Sequence, residues 1–397
     1  MFKKYDRNTF SKLDKQHNIL VLVGNGFDIS VLKKHKEGKL KGKTTSYADF
    51  YDYITYYNLS NYNLSKESNI LYETMREKKN KNIENWSDFE NIIQELCSNN
   101  ESESDDKVEN ETSDIDNSET SSKKVEIKTI EESIDEFQGY FTRFLNDIVD
   151  PDTMLAFNKH VRENKLAMQS MRNFSKDLTK DESINFLKNG DHYDLFYYVF
   201  LNFNYTSLLD NYLYLDKNQF DPHCHKTVDT NFWFETNRKN KIGENIRHSS
   251  YILCDVLHPH GVQDIPRSIL FGIDRKKYDK ATSEEKRLVK SYWSQYDTKY
   301  KSYIDEAELF IIYGMSLGET DAWWMDQIYD AILNRNAELI IYMYGDIEDT
   351  EVKARFLNVC IRHSDSSEEE KEKVKKNIYV VTFKENNTYF LGLEKIG

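Results

Sequence analysis

The chain has 397 residues, 54 of them basic and 68 acidic, for a net charge of −14. That length supports a substantial buried core, either one large domain carrying an insertion or two domains. The acidic balance argues against a broadly basic nucleic-acid-binding face, because Lys and Arg neutralising phosphate drives such binding.

The charge is uneven. Nine acidic residues against Lys107 fall between positions 101 and 119, so the rest of the chain carries −6 and a local basic patch stays open. Cys97, Cys224, Cys254 and Cys360 form no Cys-x-x-Cys pair, which points to neither a zinc ribbon nor a disulfide framework. The start lacks the apolar core of a signal peptide, and runs such as 19–23 and 195–201 fall far short of the ~20 residues that span a bilayer. The expectation is a soluble, cytoplasmic protein with no membrane partner.

In chain order, 18–23 is an unbroken β-branched and Leu run, as in a strand buried on both faces, and it ends in Gly-x-Gly. Ser46, with Asp49 three positions on, predicts a helix start, and the aromatics extend that helix over 47–57. A second helix is expected over 85–96. The segment 99–124 is too polar and like-charged for core and reads as a disordered insertion or loop. Helical spacing returns over 127–148.

Strands are expected over 194–203, 251–257, 268–273, 307–313, 338–344 and 378–383, with helices over 206–214, 283–298, 321–334 and 349–362. That alternation is the βαβ pattern of a Rossmann-like α/β fold, a parallel sheet with helices on both faces. The division expected is a nucleotide-binding core of 1–45 and 191–397, interrupted by a mostly helical insertion over 46–190.

Four cassettes follow or adjoin the strand-like runs: Gly24-Asn25-Gly26-Phe27-Asp28, Asn202-Phe203-Asn204-Tyr205-Thr206, His258-Pro259-His260-Gly261 and Tyr313-Gly314-Met315-Ser316-Leu317-Gly318-Glu319-Thr320-Asp321. Ligand residues of open α/β sheets gather past the carboxyl ends of parallel strands, so the cassettes suggest one shared pocket for a nucleotide. Gly-x-Gly lets the backbone approach a phosphate, although a tight strand-to-helix turn needs the same residues. Asp28 suits a ribose hydroxyl or a helix cap better than an anion.

Asn204 ends a very apolar strand, where its amide demands partners, either a ligand or a neighbouring loop. Tyr205 and Thr206 serve equally to pack and cap. His260 sits on a turn constrained by Pro259 and Gly261, where an imidazole takes a proton from a hydroxyl or water, or simply braces the turn. Gly314 and Ser316 admit a ligand across the sheet edge, and Asp321 starts the next helix. His223-Cys224-His225 has no standard metal spacing, so no metal is expected.

Together these residues resemble the AbiH family of bacterial phage abortive-infection proteins. The resemblance runs through Gly-Asn-Gly-Phe-Asp at 24–28, Thr-x-Tyr-x-Asp-Phe at 45–50 and Trp-x-Asp-Phe-Glu at 86–90. It continues with Phe-Asn-Tyr-Thr at 203–206, His-x-His-Gly at 258–261, Phe-Gly-Ile-Asp at 271–274 and Gly-x-Ser-Leu-Gly-Glu-Thr-Asp at 314–321. Met315 stands where the family pattern has His.

More remotely, the order of motifs is similar to the NAD-binding core of sirtuins and sirtuin-like NAD hydrolases. That similarity implies that Gly24 and Gly26 border the phosphates, that Asn204 positions water or ribose, and that His260 acts on a ribose hydroxyl. Gly314 and Ser316 would line the adenosine side. Thr206 replaces the Asp usual in sirtuins and the zinc ribbon is missing, which disfavours protein deacylation. The function implied is an antiphage protein that binds NAD and hydrolyses its nicotinamide N-glycosidic bond, with a non-catalytic nucleotide sensor as the main rival and an RNA-directed toxin behind it. A phage trigger, a partner protein and self-association stay open.

Overall fold

The computed structural model of the protein describes residues 1–57, 69–98, 125–178, 184–216, 232–274, 283, 285–385 and 387–396; the side chains of 232–239 and 245–247 are not described. The acidic segment 99–124 and the His223-Cys224-His225 cluster lie outside the described residues.

Seven strands form one sheet: β1 (Gln16–Val23), β2 (Leu195–Asn202), β3 (Phe232–Lys239), β4 (Asn245–Leu257), β5 (Leu309–Tyr313), β6 (Glu338–Tyr344) and β7 (Ile378–Phe383). Their spatial order is β3-β4-β2-β1-β5-β6-β7. All neighbours run parallel except β3, which pairs antiparallel with β4 at one edge. Counted among the six parallel strands alone, the order is 3-2-1-4-5-6, that of a Rossmann fold. The order reverses between β1 and β5, and a crevice opens at their carboxyl ends.

The alternation of strand side chains explains why both faces are covered. Ile19, Val21 and Val23 of β1 join one apolar cluster with Phe50, Phe89, Phe137 and Phe141 of the insertion. Leu20 and Leu22 join the opposite cluster, with Trp323 and Trp324 of the helix Ala322–Arg335 and Phe356 of the helix Asp349–Val359. The insertion therefore shares its core with one face of the sheet. Within it, Ser46 accepts from the Asp49 amide at 3.2 Å and starts the helix Tyr47–Asp52, which continues as a π-helical turn, Tyr53–Tyr57. No helix among the described residues is long and apolar enough to cross a membrane.

Several expectations are corrected. Residues 268–273 form no strand of the sheet: Pro266–Ser268 is a 3-10 turn and Ile273 makes only an isolated bridge to Val289. Their apolarity serves helix packing instead, with Phe271 edge-on to Phe89 (4.7 Å between centroids) and to Phe141 (5.3 Å). The helix expected over 283–298 is broken into Glu285–Leu288, Lys290–Trp293 and Tyr296–Lys299, interrupted at Gln295, which adopts φ 53°. Elements without a sequence-based expectation include the edge strand β3, the helix Lys301–Glu306 and the helix Glu368–Lys376, which Ser367 and Glu370 start with a reciprocal capping box.

Candidate functional site

The crevice holds a cavity of about 440 Å³, within the size range of small-molecule sites. The β1 loop meets the β5 loop backbone to backbone at its floor. The Gly24 amide donates to Tyr313 O and the Gly26 amide to Gly314 O, both at 2.9 Å. A Cβ on Gly24 would lie 2.7 Å from Gly314 O, and one on Gly26 would lie 2.8 Å from Gly314 Cα. Gly314 itself has φ +66°. These glycines are thus required for loop-to-loop contact, and Gly24 and Gly26 line the cavity as bare backbone rather than as free amide donors.

Asn25 is tied to Thr45, just before the helix Tyr47–Asp52: the Thr45 hydroxyl donates to Asn25 Oδ1 at 2.5 Å and Asn25 Nδ2 donates to Thr45 O at 3.2 Å. Asp28, on the first turn of the helix Gly26–His35, is fully buried. It accepts from Asn204 Nδ2 at 3.1 Å and from the Thr206 hydroxyl at 2.6 Å. Burial raises its pKa to about 7, opposed by the Thr206 hydrogen bond.

Asn204 is only 3% exposed. Its amide nitrogen Nδ2 is committed to Asp28 and its backbone N–H to Asn202 Oδ1 at 3.1 Å, while Oδ1 has no partner among the described residues. An unmatched buried carbonyl oxygen at a cavity wall is what a ligand or water donor would satisfy. Asn204, Tyr205 and Thr206 all line the cavity, Tyr205 with its ring edge-on to Phe141.

His260 lines the cavity near the carboxyl end of β4, its ring edge-on to Phe203 at 5.0 Å and 6.3 Å from the Tyr205 ring, the residues that flank Asn204. Its Nε2 lies 2.9 Å from the Tyr296 hydroxyl and 3.7 Å from Asp321 Oδ1. Burial, and after it the nearby Lys290 ammonium, lowers its pKa to about 3, so the imidazole is neutral at physiological pH. An imidazole that accepts from the Tyr296 hydroxyl at Nε2 carries its proton on Nδ1.

Behind this wall, Lys290 is buried with Nζ 3.2 Å from Asp321 Oδ1 and 3.5 Å from Glu90 Oε2. Against the desolvation of burial, Asp321, Glu90 and Asp274 hold its pKa above the ordinary lysine value. Glu90, at the start of the helix Phe89–Ser98, is pushed upward by burial, and so is Asp88. Asp28, Asp88, Glu90 and Asp321 all line the cavity, and among the described residues no Lys or Arg does.

The tertiary structure therefore brings together Gly24, Asn25, Gly26, Asp28, Asn204, Tyr205, Thr206, His260, Gly314, Ser316 and Asp321. It separates two others. Phe27 turns into the core against Tyr212 and Tyr313, and Gly261 lies outside the lining, where φ +87° and a Cβ position 2.0 Å from Ser268 O make it a turn residue. His258 pairs with Asp210 at 3.0 Å instead. Met315 also lines the cavity.

Sequence reasoning missed Thr45 and the contributions of the insertion, namely Tyr47, Asp88, Glu90, Phe141 and Leu145, although four of these six lie inside motifs already visible in the sequence. It missed Lys290 altogether, since a lone Lys on a broken helix leaves no pattern. Among the described residues no group of three or more His, Cys, Asp or Glu is arranged to hold a metal.

Neither the curated proteins nor the solved structures give a match to this chain. One family model, described as "Bacteriophage abortive infection AbiH", matches residues 20–343, a span that holds every residue lining the cavity except Tyr344. The chain belongs to the AbiH family and is a bacteriophage abortive-infection protein.

Proposed function

We propose that the cavity binds NAD and hydrolyses its nicotinamide N-glycosidic bond, depleting the nucleotide in the infected cell. The observation that carries this reading is Asn204: a buried carboxamide with its oxygen unmatched among the described residues, lining with a neutral histidine one cavity at the switch point of a Rossmann-ordered sheet. Dinucleotides bind at that point of such sheets.

The bond breaks with its electron pair leaving on the nicotinamide, so C1′ of the ribose gains oxocarbenium character before water adds to it. Four carboxyl groups line the cavity against one buried ammonium, Lys290, that pairs with Asp321 and Glu90 from behind, an acidic excess that suits that developing positive charge. Asn204 Oδ1 accepts from the attacking water and fixes its approach. Asp28, whose pKa lies near 7, both locks the Asn204 amide in this orientation and is matched to accept the proton that water releases. His260, too weakly basic to take a proton at neutral pH, orients a ribose hydroxyl through a neutral ring. The products are nicotinamide, ADP-ribose and a proton.

Release of nicotinamide from NAD+ by the purified protein, with and without phage lysate, tests the reading. Asn204→Ala and His260→Ala should abolish release while circular dichroism stays unchanged; undiminished release from both variants would overturn the site. The sensor reading draws on Asp88 and Glu90, because they attach the insertion to the cavity and let an occupied pocket move it. Ligand-induced thermal stabilisation without nicotinamide release would favour that alternative.

A further inference from the structure

The cavity is elongated across the sheet. Asn204 follows β2 and Tyr344 ends β6, three inter-strand steps apart in the order β2-β1-β5-β6, and both line it. At about 4.8 Å per step the separation is ~14 Å. That is room for two nucleoside units joined by a diphosphate rather than for one.

Tyr344 differs from the rest of the lining. It is 61% exposed, whereas Tyr342 and Met343 beside it on β6 are buried. Its ring meets its cross-strand neighbour Phe383 at 5.8 Å and 79°, an edge-to-face contact that steadies a ring still largely open to solvent. Gly345 follows with φ +118°, so the residue next to the ring carries no side chain. Single exposed aromatics are ordinary on protein surfaces. One braced at the mouth of a cavity whose far end holds an unmatched polar group is a platform for a planar ring.

Resting on the NAD reading, we infer that Tyr344 stacks the adenine base of the substrate and so fixes its polarity, with adenine at β6 and the scissile nicotinamide riboside at Asn204 and His260. Tyr344 lies just beyond the span of the family match, so the inference stands on this chain's geometry alone. The cavity is then selective for a dinucleotide with a purine base at one end, and nicotinamide mononucleotide fills only the Asn204 end.

Calorimetric titration with AMP, together with nicotinamide release from NAD+ and from nicotinamide mononucleotide, tests the assignment in the full chain. Tyr344→Ala should weaken AMP binding and raise the KM for NAD+ by about tenfold, as expected for loss of one base–aromatic stack. The kcat for NAD+ and the cleavage of the mononucleotide should be unchanged, and Tyr344→Phe should behave as wild type. Unchanged AMP affinity, no AMP binding to the wild type, or equal losses on both substrates would overturn the platform. If the wild type releases no nicotinamide from either substrate, the hydrolysis reading falls; weaker AMP binding by Tyr344→Ala would still uphold the platform.

Discussion

The two ends of the parallel sheet carry similar residues and do opposite things. At the amino end, His17 is fully buried between Glu308, 2.9 Å from Nδ1, and Asp194, 3.1 Å from Nε2. Asp194 also accepts from the backbone amides of Lys15 at 3.1 Å and Asp191 at 2.7 Å. Both ring nitrogens are matched, and although burial opposes it, the two carboxylates hold the histidine pKa above its ordinary value. At the carboxyl end, His260 is paired among the described residues at Nε2 alone, has its pKa lowered to about 3, and shares its cavity with an asparagine whose oxygen is unmatched. Burial by itself does not mark a functional histidine; incomplete satisfaction next to a cavity does.

A pair of substitutions that cross over breaks this comparison most sharply. Asn204→Ala should abolish nicotinamide release with little change in melting temperature. His17→Ala should leave ligand affinity intact but cost ~3–5 kcal/mol of stability, because it strands Asp194 without its counter-charge. Chemical denaturation and nicotinamide release measured on both variants check this, and a loss of turnover without destabilisation in His17→Ala would erase the distinction.

A smaller effect is expected from the floor of the cavity. Gly314→Ala puts a Cβ 3.0 Å from Gly26 Cα in a left-handed conformation, a strain of about 1–3 kcal/mol. The β1 and β5 loops should part, lowering both the denaturation midpoint and nucleotide affinity. The same substitution at Gly38, whose φ is +70° and whose Cβ position is open, should disturb stability alone.

The smallest signature lies in pH dependence. The folded protein raises the pKa of Asp28 from 3.8 to about 7, so the native state keeps a proton that the unfolded chain sheds near pH 4. Its contribution to stability is complete below pH 4 and is lost as pH rises through 7. His17 is also raised, from 6.5, so its contribution is complete below that value and is lost at higher pH. Glu90 and Asp326, also raised to about 7, and Asp177, raised to about 6, titrate in the same range as Asp28. Asp28→Asn should therefore shrink the fall in stability between pH 4 and 7 by its own share, and His17→Gln should shrink the fall above pH 6.5, as read from denaturation midpoints between pH 4 and 9.

What the sequence could disclose followed from local rules. Runs such as 18–23, 338–344 and 378–383 are unbroken apolar segments because parallel strands are buried on both faces, and they read directly as strands. Where apolarity had another cause it misled: Ile269, Phe271 and Ile273 are buried by packing against the insertion, not by sheet pairing. The antiparallel β3 carried no comparable run, since its apolar residues stop at Phe234 and charged and polar residues follow.

The cassettes at strand ends were visible because chain turns and ligand approach both require Gly, Asn and His in short order. Their convergence was not. Asp28 meets Asn204 across 176 residues and Lys290 meets Glu90 across 200. Such contacts follow from strand order and insertion packing, which no local pattern encodes. The sequence by itself determined the parallel α/β architecture, the family and the residue types at the strand ends. Only the tertiary structure decided which polar groups are consumed by each other and which are left for a ligand, because satisfaction of a hydrogen bond is a property of pairs brought together in space.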